Sequence, residues 1–240
     1  MKRFLLLLGL VGLLAGNVSA QQTFILSTLT HKGFVSVTAG YSVPVASPFG
    51  KNTQKLMGGG QSAQVSLGYR LGRRLGMVGS YSFVSNTIRQ DALLKSVSGN
   101  LESSYWKSNA TNCTLQTLMV GPLLTVPMGR FIFDFQLTGG YAQATSSRME
   151  LSTEFLRMPL TYTTPSQTTN ALAAGAGFTT RYKVNRWLAL HASAQYITAD
   201  LKYDNLMQEI QIGRQVSQEP VQSHQPTGIL NLGAGFSFLF

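Results

Sequence analysis

The sequence predicts an all-β chain: an eight-stranded antiparallel up-and-down transmembrane β-barrel, with short turns at one end and long loops at the other. Three observations carry that expectation. The C-terminal segment alternates, with Leu230, Leu232, Ala234, Phe236, Phe238 and Phe240 on one face and Asn231, Gly233, Gly235 and Ser237 on the other. Successive side chains of a strand point to opposite faces, so this segment has one fully apolar face that suits lipid better than water. Further period-two segments precede it, and the connections between them alternate between very short and very long. That layout is the layout of a bacterial outer-membrane barrel.

The strands follow in order. Strand 1 is expected over 33–45, with Val35, Val37, Ala39, Tyr41 and Val43 opposite Ser36, Thr38, Gly40 and Ser42. Strand 2, over 62–71, sets Ala63, Val65, Leu67, Tyr69 and Leu71 against Gln64, Ser66, Gly68 and Arg70. Gly72-Arg73-Arg74 turns the chain into strand 3, over 75–85. Strand 4 is expected near 113–126, where Gly121-Pro122 suggests a bulge because proline has no N–H for a ladder. Pro127-Met128-Gly129-Arg130 turns it into strand 5, with Phe131, Phe133, Phe135 and Leu137 against Asp134, Gln136 and Thr138. Strand 6, over 170–183, has Leu172, Ala174, Ala176, Phe178 and Tyr182 opposite Gly175, Gly177, Thr179 and Arg181. After Val184-Asn185-Arg186, strand 7 spans 187–198, and strand 8 is the C-terminal segment. The long connections are 46–61, 86–112, 144–169 and 199–226, and Gly58-Gly59-Gly60 is expected as a hinge or bulge before strand 2. Alternation at Met149-Glu150-Leu151-Ser152 and Ile210-Gln211-Ile212 allows strands extended above the membrane as hairpins, with simple loop packing as the plainer reading.

Parity does not say which face is outside. A water-facing exterior would carry many Lys and Glu residues. Here the non-apolar faces hold mainly Ser, Thr, Gly, Gln and Asn, which suit a narrow filled lumen. A soluble lipocalin-like barrel, with its apolar face inward, is therefore the weaker alternative. Aromatic residues fall in two rows, as expected of girdles at the two membrane interfaces. Tyr69, Phe131, Tyr182, Trp187 and Phe240 lie near the short turns, and Tyr41, Phe83, Tyr141 and Tyr196 near the long connections.

The bulk numbers agree. Met1-Lys2-Arg3, the apolar run from Phe4 to Ala15 and Val18-Ser19-Ala20 form the pattern of a cleaved secretory signal peptide over 1–20. A short periplasmic segment, 21–32, would then lead into a barrel over 33–240. Charged residues make up 12% of the chain, about half the share usual in soluble domains. The single cysteine, Cys113, excludes an internal disulfide framework and a multi-cysteine metal site. His31 and His224 are too scattered for a metal site, and no phosphate-binding glycine motif is present, so no cofactor is expected.

With these residues in hand, the chain resembles the small outer-membrane β-barrel family, the outer membrane protein beta-barrel domain group. The resemblance rests on Gly40-Tyr41-Ser42-Val43-Pro44-Val45, Gly121-Pro122, Pro127-Met128-Gly129-Arg130, Gly139-Gly140-Tyr141 and Gly175-Ala176-Gly177-Phe178. It implies the barrel fold and the outer membrane of a Gram-negative bacterium. It also implies that Gly235, Phe238 and Phe240 form the C-terminal signal read by the barrel-insertion machinery. It implies no single activity.

Charge sorts by height. Lys32, Arg70, Arg73, Arg74, Arg130, Arg181, Lys183 and Arg186 fall near the short turns, against Asp134 alone. Arg73, Arg74, Arg130 and Arg186 are expected to contact phosphate headgroups or other anionic envelope material, or simply to solvate the turns. Arg70, Asp134, Arg181 and His191 share lumen parity and form an expected structural polar cluster, with Asp134 and Arg181 as an ion pair. His191 and Ser193 share a face and faintly resemble the His-x-Ser of outer-membrane lipid A deacylases. However, they point into the lumen near the periplasmic turns, and no acid lies at matching depth. Asn109-Ala-Thr111 resembles a glycosylation sequon but is noise in a bacterial envelope.

The expectation is a non-enzymatic, structural or surface-interaction protein. Its partners are outer-membrane lipids, the insertion machinery during biogenesis and an extracellular partner at the loops; nucleic acid is not among them. A narrow channel for small solutes is the alternative, and a lipid A-modifying enzyme comes third.

Overall fold

A computed structural model describes residues 31–48, 57–90, 107–155, 158–212 and 215–240. The expected signal peptide, most of the segment 21–32, and Trp106 with its neighbours lie outside the described residues. Eleven strands run β1 (Gly33–Val45), β2 (Met57–Arg70), β3 (Leu75–Ile88), β4 (Lys107–Ala110), β5 (Cys113–Met128), β6 (Phe131–Thr145), β7 (Met149–Phe155), β8 (Met158–Thr164), β9 (Thr168–Lys183), β10 (Leu188–Ile212) and β11 (Gln215–Leu239). Eight of them, in the order β11-β1-β2-β3-β5-β6-β9-β10, close on themselves through the β10–β11 pair, and every pairing is antiparallel. Closure leaves no sheet edge around the membrane belt, where hydrocarbon offers no partner for a free N–H or C=O. The seam between β1 and β11 is tied by Gly33 N donating to Phe240 O at 2.8 Å and Phe240 N to Gly33 O at 3.0 Å.

Turn chemistry sets the short end. Met128 faces Phe131 across a two-residue loop, and Gly129 takes φ +63° there, a conformation that strains any side chain. Asn185 builds another turn, its Oδ1 accepting from the amides of Trp187 and Leu188, both at 2.8 Å. The expected bulge at Gly121-Pro122 is absent. Val120 faces Gly139 and Leu123 faces Gln136, so the β5–β6 register is unshifted, and proline leaves only a local gap in the ladder. A shift does occur between Met57 and Gly60, so the Gly58-Gly59-Gly60 stretch is an irregularity inside β2 rather than a hinge before it.

At the other end the long connections take the extended-hairpin form that the alternation at Met149-Glu150-Leu151-Ser152 and Ile210-Gln211-Ile212 allows. The segment 199–226 is the upper part of one hairpin, β10–β11, with a single register shift between Tyr203 and Leu206. The segment 144–169 contains β7 and β8, and 86–112 contains the end of β3 and all of β4. These pieces continue the barrel wall. Ala110 faces Met149 in the alignment that pairs Thr114 with Thr145. Likewise β8 meets β7 and β10 in the registers that β9 keeps with β6 and β10.

Between the two tiers the ladder is interrupted at 111–112, 146–148 and 165–167, and side chains bridge the gap. Thr111 Oγ1 accepts from Arg148 N at 2.9 Å, Ser146 Oγ accepts from Gln167 N at 2.9 Å, and the Ser147 hydroxyl donates to the Thr111 carbonyl. Among the described residues the wall is therefore raised on the β5-β6-β9-β10-β11 side.

Candidate functional site

The outer face comes first, because it sets what surrounds the molecule. Val37, Val65, Leu67, Met77, Leu118, Val120, Phe135, Leu137, Leu172, Phe236 and Phe238 are all exposed, and Leu172 is 83% exposed. Phe131 to Tyr141 and the facing Leu172 to Tyr182 each bracket the roughly 9–11 residues a tilted strand needs to cross a bilayer. One step above this belt the outward residues turn polar, at Gln61, Ser85, Gln116, Gln143 and Asn170. Tyr69, Phe131, Tyr182, Trp187 and Phe240 line the lower edge, and Tyr41, Phe83 and Tyr141 the upper; all are exposed. Tyr196 is half-buried, its hydroxyl donating to the Ala46 carbonyl at 2.8 Å. An apolar belt of this height, bounded by aromatic and then polar rows, is the exterior of a membrane-spanning barrel. Among the described residues no helix is long and apolar enough to cross. The strands do the crossing.

Inside, the lumen is layered. Its centre holds a continuous polar chain. Thr125 Oγ1 donates to Asp134 Oδ1 at 2.6 Å, and Arg181 Nη1 pairs with Asp134 Oδ2. Arg181 Nε donates to Ser237 Oγ at 3.2 Å, Ser237 Oγ lies 2.9 Å from His191 Nδ1, and His191 Nε2 lies 2.8 Å from Thr38 Oγ1. Six residues on β5, β6, β9, β11, β10 and β1 are thus linked across the interior. The Phe34 ring caps the Arg181 guanidinium at 3.5 Å. Asp134 is 2% and Arg181 4% exposed, so each charge depends on the other.

Of the four residues expected as a lumen cluster, Asp134, Arg181 and His191 belong to this chain. Arg70 stands lower, at the short-turn mouth, beside Lys183 and Lys32. Both ring nitrogens of His191 are engaged by Thr38 and Ser237, and neither by Ser193. Parity places Thr38 and Ser237 on the polar face without linking them to the cluster, and it does not single out Thr125 or Phe34. Ser237 in particular joins β9 to β11 across the intervening β10, a contact that nearest-neighbour strand reasoning does not reach.

The expected small, polar lumen holds only for this middle layer. Above it Val84, Leu115, Met119, Ile197, Leu201, Tyr203 and Ile229 form an apolar plug. Toward the short turns Phe34, Val78, Leu123, Ala189 and Leu239 form a second, smaller apolar cluster interleaved with the polar chain. Inward residues of both kinds keep the eight-stranded interior packed, which is what its small diameter requires. Gln195, Asn231 and Ser42 are cross-strand neighbours, and Gly60 links Ser42 to Asn86. Ser42 Oγ, Gln195 Oε1 and both amide atoms of Asn86 and Asn231 are buried without a hydrogen-bond partner, a concentrated energetic penalty. Cys113 is a free, half-buried thiol at the upper mouth. Among the described residues no group of His, Cys, Asp or Glu is arranged to hold a metal.

The exposed turn arginines Arg73, Arg130 and Arg186 and the half-buried Arg74 ring the outside of the short-turn end. Arg130 is held above its ordinary pKa by the Tyr182 hydroxyl, to which Nη1 donates at 3.3 Å. Gly235, Phe238 and Phe240 sit on β11 and just past it, with both phenylalanines pointing outward.

No protein-family model matches the chain, and no characterised protein matches it by sequence. Solved structures with similar architecture include three outer-membrane or bacterial surface proteins. The attachment invasion locus protein of Yersinia pestis is 16% identical, with 86% of this chain and 99% of that one covered at a TM-score of 0.42. Neisserial surface protein A is 13% identical, covering 87% and 97% at 0.49. A major outer membrane protein from Thermus thermophilus is 14% identical, covering 88% and 100% at 0.45. The fold assignment rests on the chain's own ladders: it is a closed, eight-stranded, antiparallel transmembrane β-barrel with a wall raised on one side.

Proposed function

We propose that the chain is an integral protein of a Gram-negative outer membrane, without a catalytic centre, whose role is structural or interaction-based and is exercised by the raised wall. The observation that carries this reading is the contrast between a lumen filled by side chains and a strand pair, β10–β11, that runs 25 residues on each side. A crossing uses about 9–11 of those residues. More than half of the hairpin therefore stands in water, with β8, β7 and β4 beside it. A sheet held out from a bilayer suits contact with a partner through its face or edge.

In this reading the short turns face the periplasm and the wall faces the outside. Arg73, Arg74, Arg130 and Arg186 meet lipid phosphates, and Gly235, Phe238 and Phe240 guide insertion. A narrow channel is the second reading, and the two apolar clusters disfavour it: bilayer conductance is expected to stay at background.

A cysteine in place of exposed Lys202, in a Cys113→Ser background, is expected to react with a membrane-impermeant maleimide on intact cells. One in place of Arg73 is expected to react only after the periplasm is opened. The reverse pattern overturns the orientation. Crosslinking from position 202 on live cells then captures what the wall touches, and conductance well above background would replace this reading with transport.

A further inference from the structure

The short-turn mouth carries a charge imbalance. A single cavity there is lined by Lys32, Arg70, Arg181 and Lys183, against Asp134 as its one carboxylate. Asp134 is already committed, with one oxygen accepting from Thr125 and the other paired with Arg181. Arg181 is further held by Ser237 and by the Phe34 ring. Arg70 differs: among the described residues it enters no ion pair, and it is half-buried at the end of β2. Its backbone amide donates to the Lys32 carbonyl at 2.8 Å, which keeps Lys32 alongside it at the rim. Lys183 ends β9 with lumen parity, and in the closed order β9 lies across the barrel from β2. An eight-stranded interior is just wide enough for side chains to fill it, so long cationic side chains from opposite walls converge near the axis. Like charges drawn together at the mouth of a low-dielectric lumen repel, and they favour an anion between them.

We propose that this mouth is a seat for a phosphoryl oxyanion, held between Arg70 and Lys183 with Lys32 at the rim. The donors select the class. A planar guanidinium fork on one side and ammonium groups from other directions match a tetrahedral anion with several acceptor oxygens; a planar carboxylate would satisfy the fork alone. A phosphate monoester carries about −1.5 to −2 charge near neutral pH, which offsets at least half of the three-cation excess at the mouth. Inorganic phosphate and a lipid headgroup present the same chemistry. They differ in approach, since the seat opens along the barrel axis and lipid meets the outer face. The seat stands independently of whatever the raised wall binds.

The test has two arms on the detergent-purified barrel. In the first, inorganic phosphate is titrated by calorimetry at matched ionic strength against chloride. In the second, association with phosphatidylglycerol vesicles is measured in phosphate-free buffer. The variants are Arg70→Gln, Lys183→Gln and, as the outer control, the double variant Arg73→Gln, Arg186→Gln. Unchanged heat-modified electrophoretic mobility verifies that each variant is folded.

Loss of one charge-assisted contact is expected to weaken phosphate binding about tenfold in Arg70→Gln and in Lys183→Gln, and to leave the outer control unchanged. Arg70→Lys, which keeps the charge, is expected to recover part of the loss. A loss confined to the vesicle arm would still support the seat and would assign it to a headgroup. Wild-type binding by Arg70→Gln in both arms, or no binding by the wild type in either, overturns the proposal.

Discussion

The barrel within the belt and the raised wall above it share the long strands β10 and β11 and their registers, yet they are held together differently. Below the upper aromatic row the outward residues are exposed and apolar, and the ladders are continuous except beside Pro122. Above it the outward positions at Gln143, Asn170 and Lys202 are polar, the registers shift between Met57 and Gly60 and between Tyr203 and Leu206, and the ladder is interrupted between the tiers and rejoined by Thr111, Ser146 and Ser147. In hydrocarbon a broken ladder would leave several kcal/mol of unmade hydrogen bonds, whereas in water it is tolerated. The interruption at 111–112, 146–148 and 165–167 therefore lies on the water side of the polar row at Gln116, Gln143 and Asn170, and the difference between the tiers is set by the medium more than by the strands.

The sharpest way to break this contrast is at the buried charges. Asp134→Ala leaves Arg181 unpaired in the lumen and is expected to lower stability by about 3–5 kcal/mol in urea unfolding of the lipid-reconstituted barrel. Asp134→Leu combined with Arg181→Met is expected to recover most of that loss. The matching break in the wall, Glu150→Ala, removes the exposed partner that Arg148 holds at 2.6 Å and is expected to change stability by less than about 1 kcal/mol.

Met119→Ala opens a cavity in the upper plug, and the same assay is expected to read a loss of about 2–5 kcal/mol. A charge on the outer face separates the tiers by height. Leu137→Arg, in the belt, is expected to cost about 2–4 kcal/mol, while Gln143→Arg, above it, is expected to cost about 0–1. Equal costs would place the belt's upper edge elsewhere. The smallest effect belongs to the wall itself. Replacing 206–221 by a short turn is expected to leave barrel stability within about 1 kcal/mol, because little of the belt or lumen depends on it.

The same contrast explains what was legible in the sequence. In the belt, lipid demands an apolar outward face and the packed interior admits small polar residues, so alternation is strong. Strand 1 matches at both ends, and the eight-strand count follows from turns whose chemistry is local, as at Gly129 and Asn185. Above the belt water accepts polar residues on the outside. Met149-Glu150-Leu151-Ser152 still alternates and marks part of β7, whereas Thr161, Thr163 and Thr164 carry no alternation to read, and β8 looks like loop.

The lumen was half legible. Asp134 and Arg181 lie on neighbouring strands at matching depth, so parity suffices to pair them. The upper plug was hidden because Val84, Leu115, Ile197 and Ile229 are apolar at inward positions, which makes both faces of a strand alike. The Arg181–Ser237–His191 link needs the closed cross-section, and no linear pattern encodes it.

The central claim is that hydrocarbon surrounds the outward apolar residues, and fluorescence quenching tests it directly. A single tryptophan is placed at Leu137, with Trp106 and Trp187 replaced by phenylalanine, and the protein is reconstituted in lipids brominated near the bilayer centre. A second sample keeps Trp187 alone. Strong quenching at position 137 by deep bromines, and of Trp187 only by shallow ones, is the expected result. Emission at position 137 that is red-shifted and indifferent to bromine at every depth would contradict it.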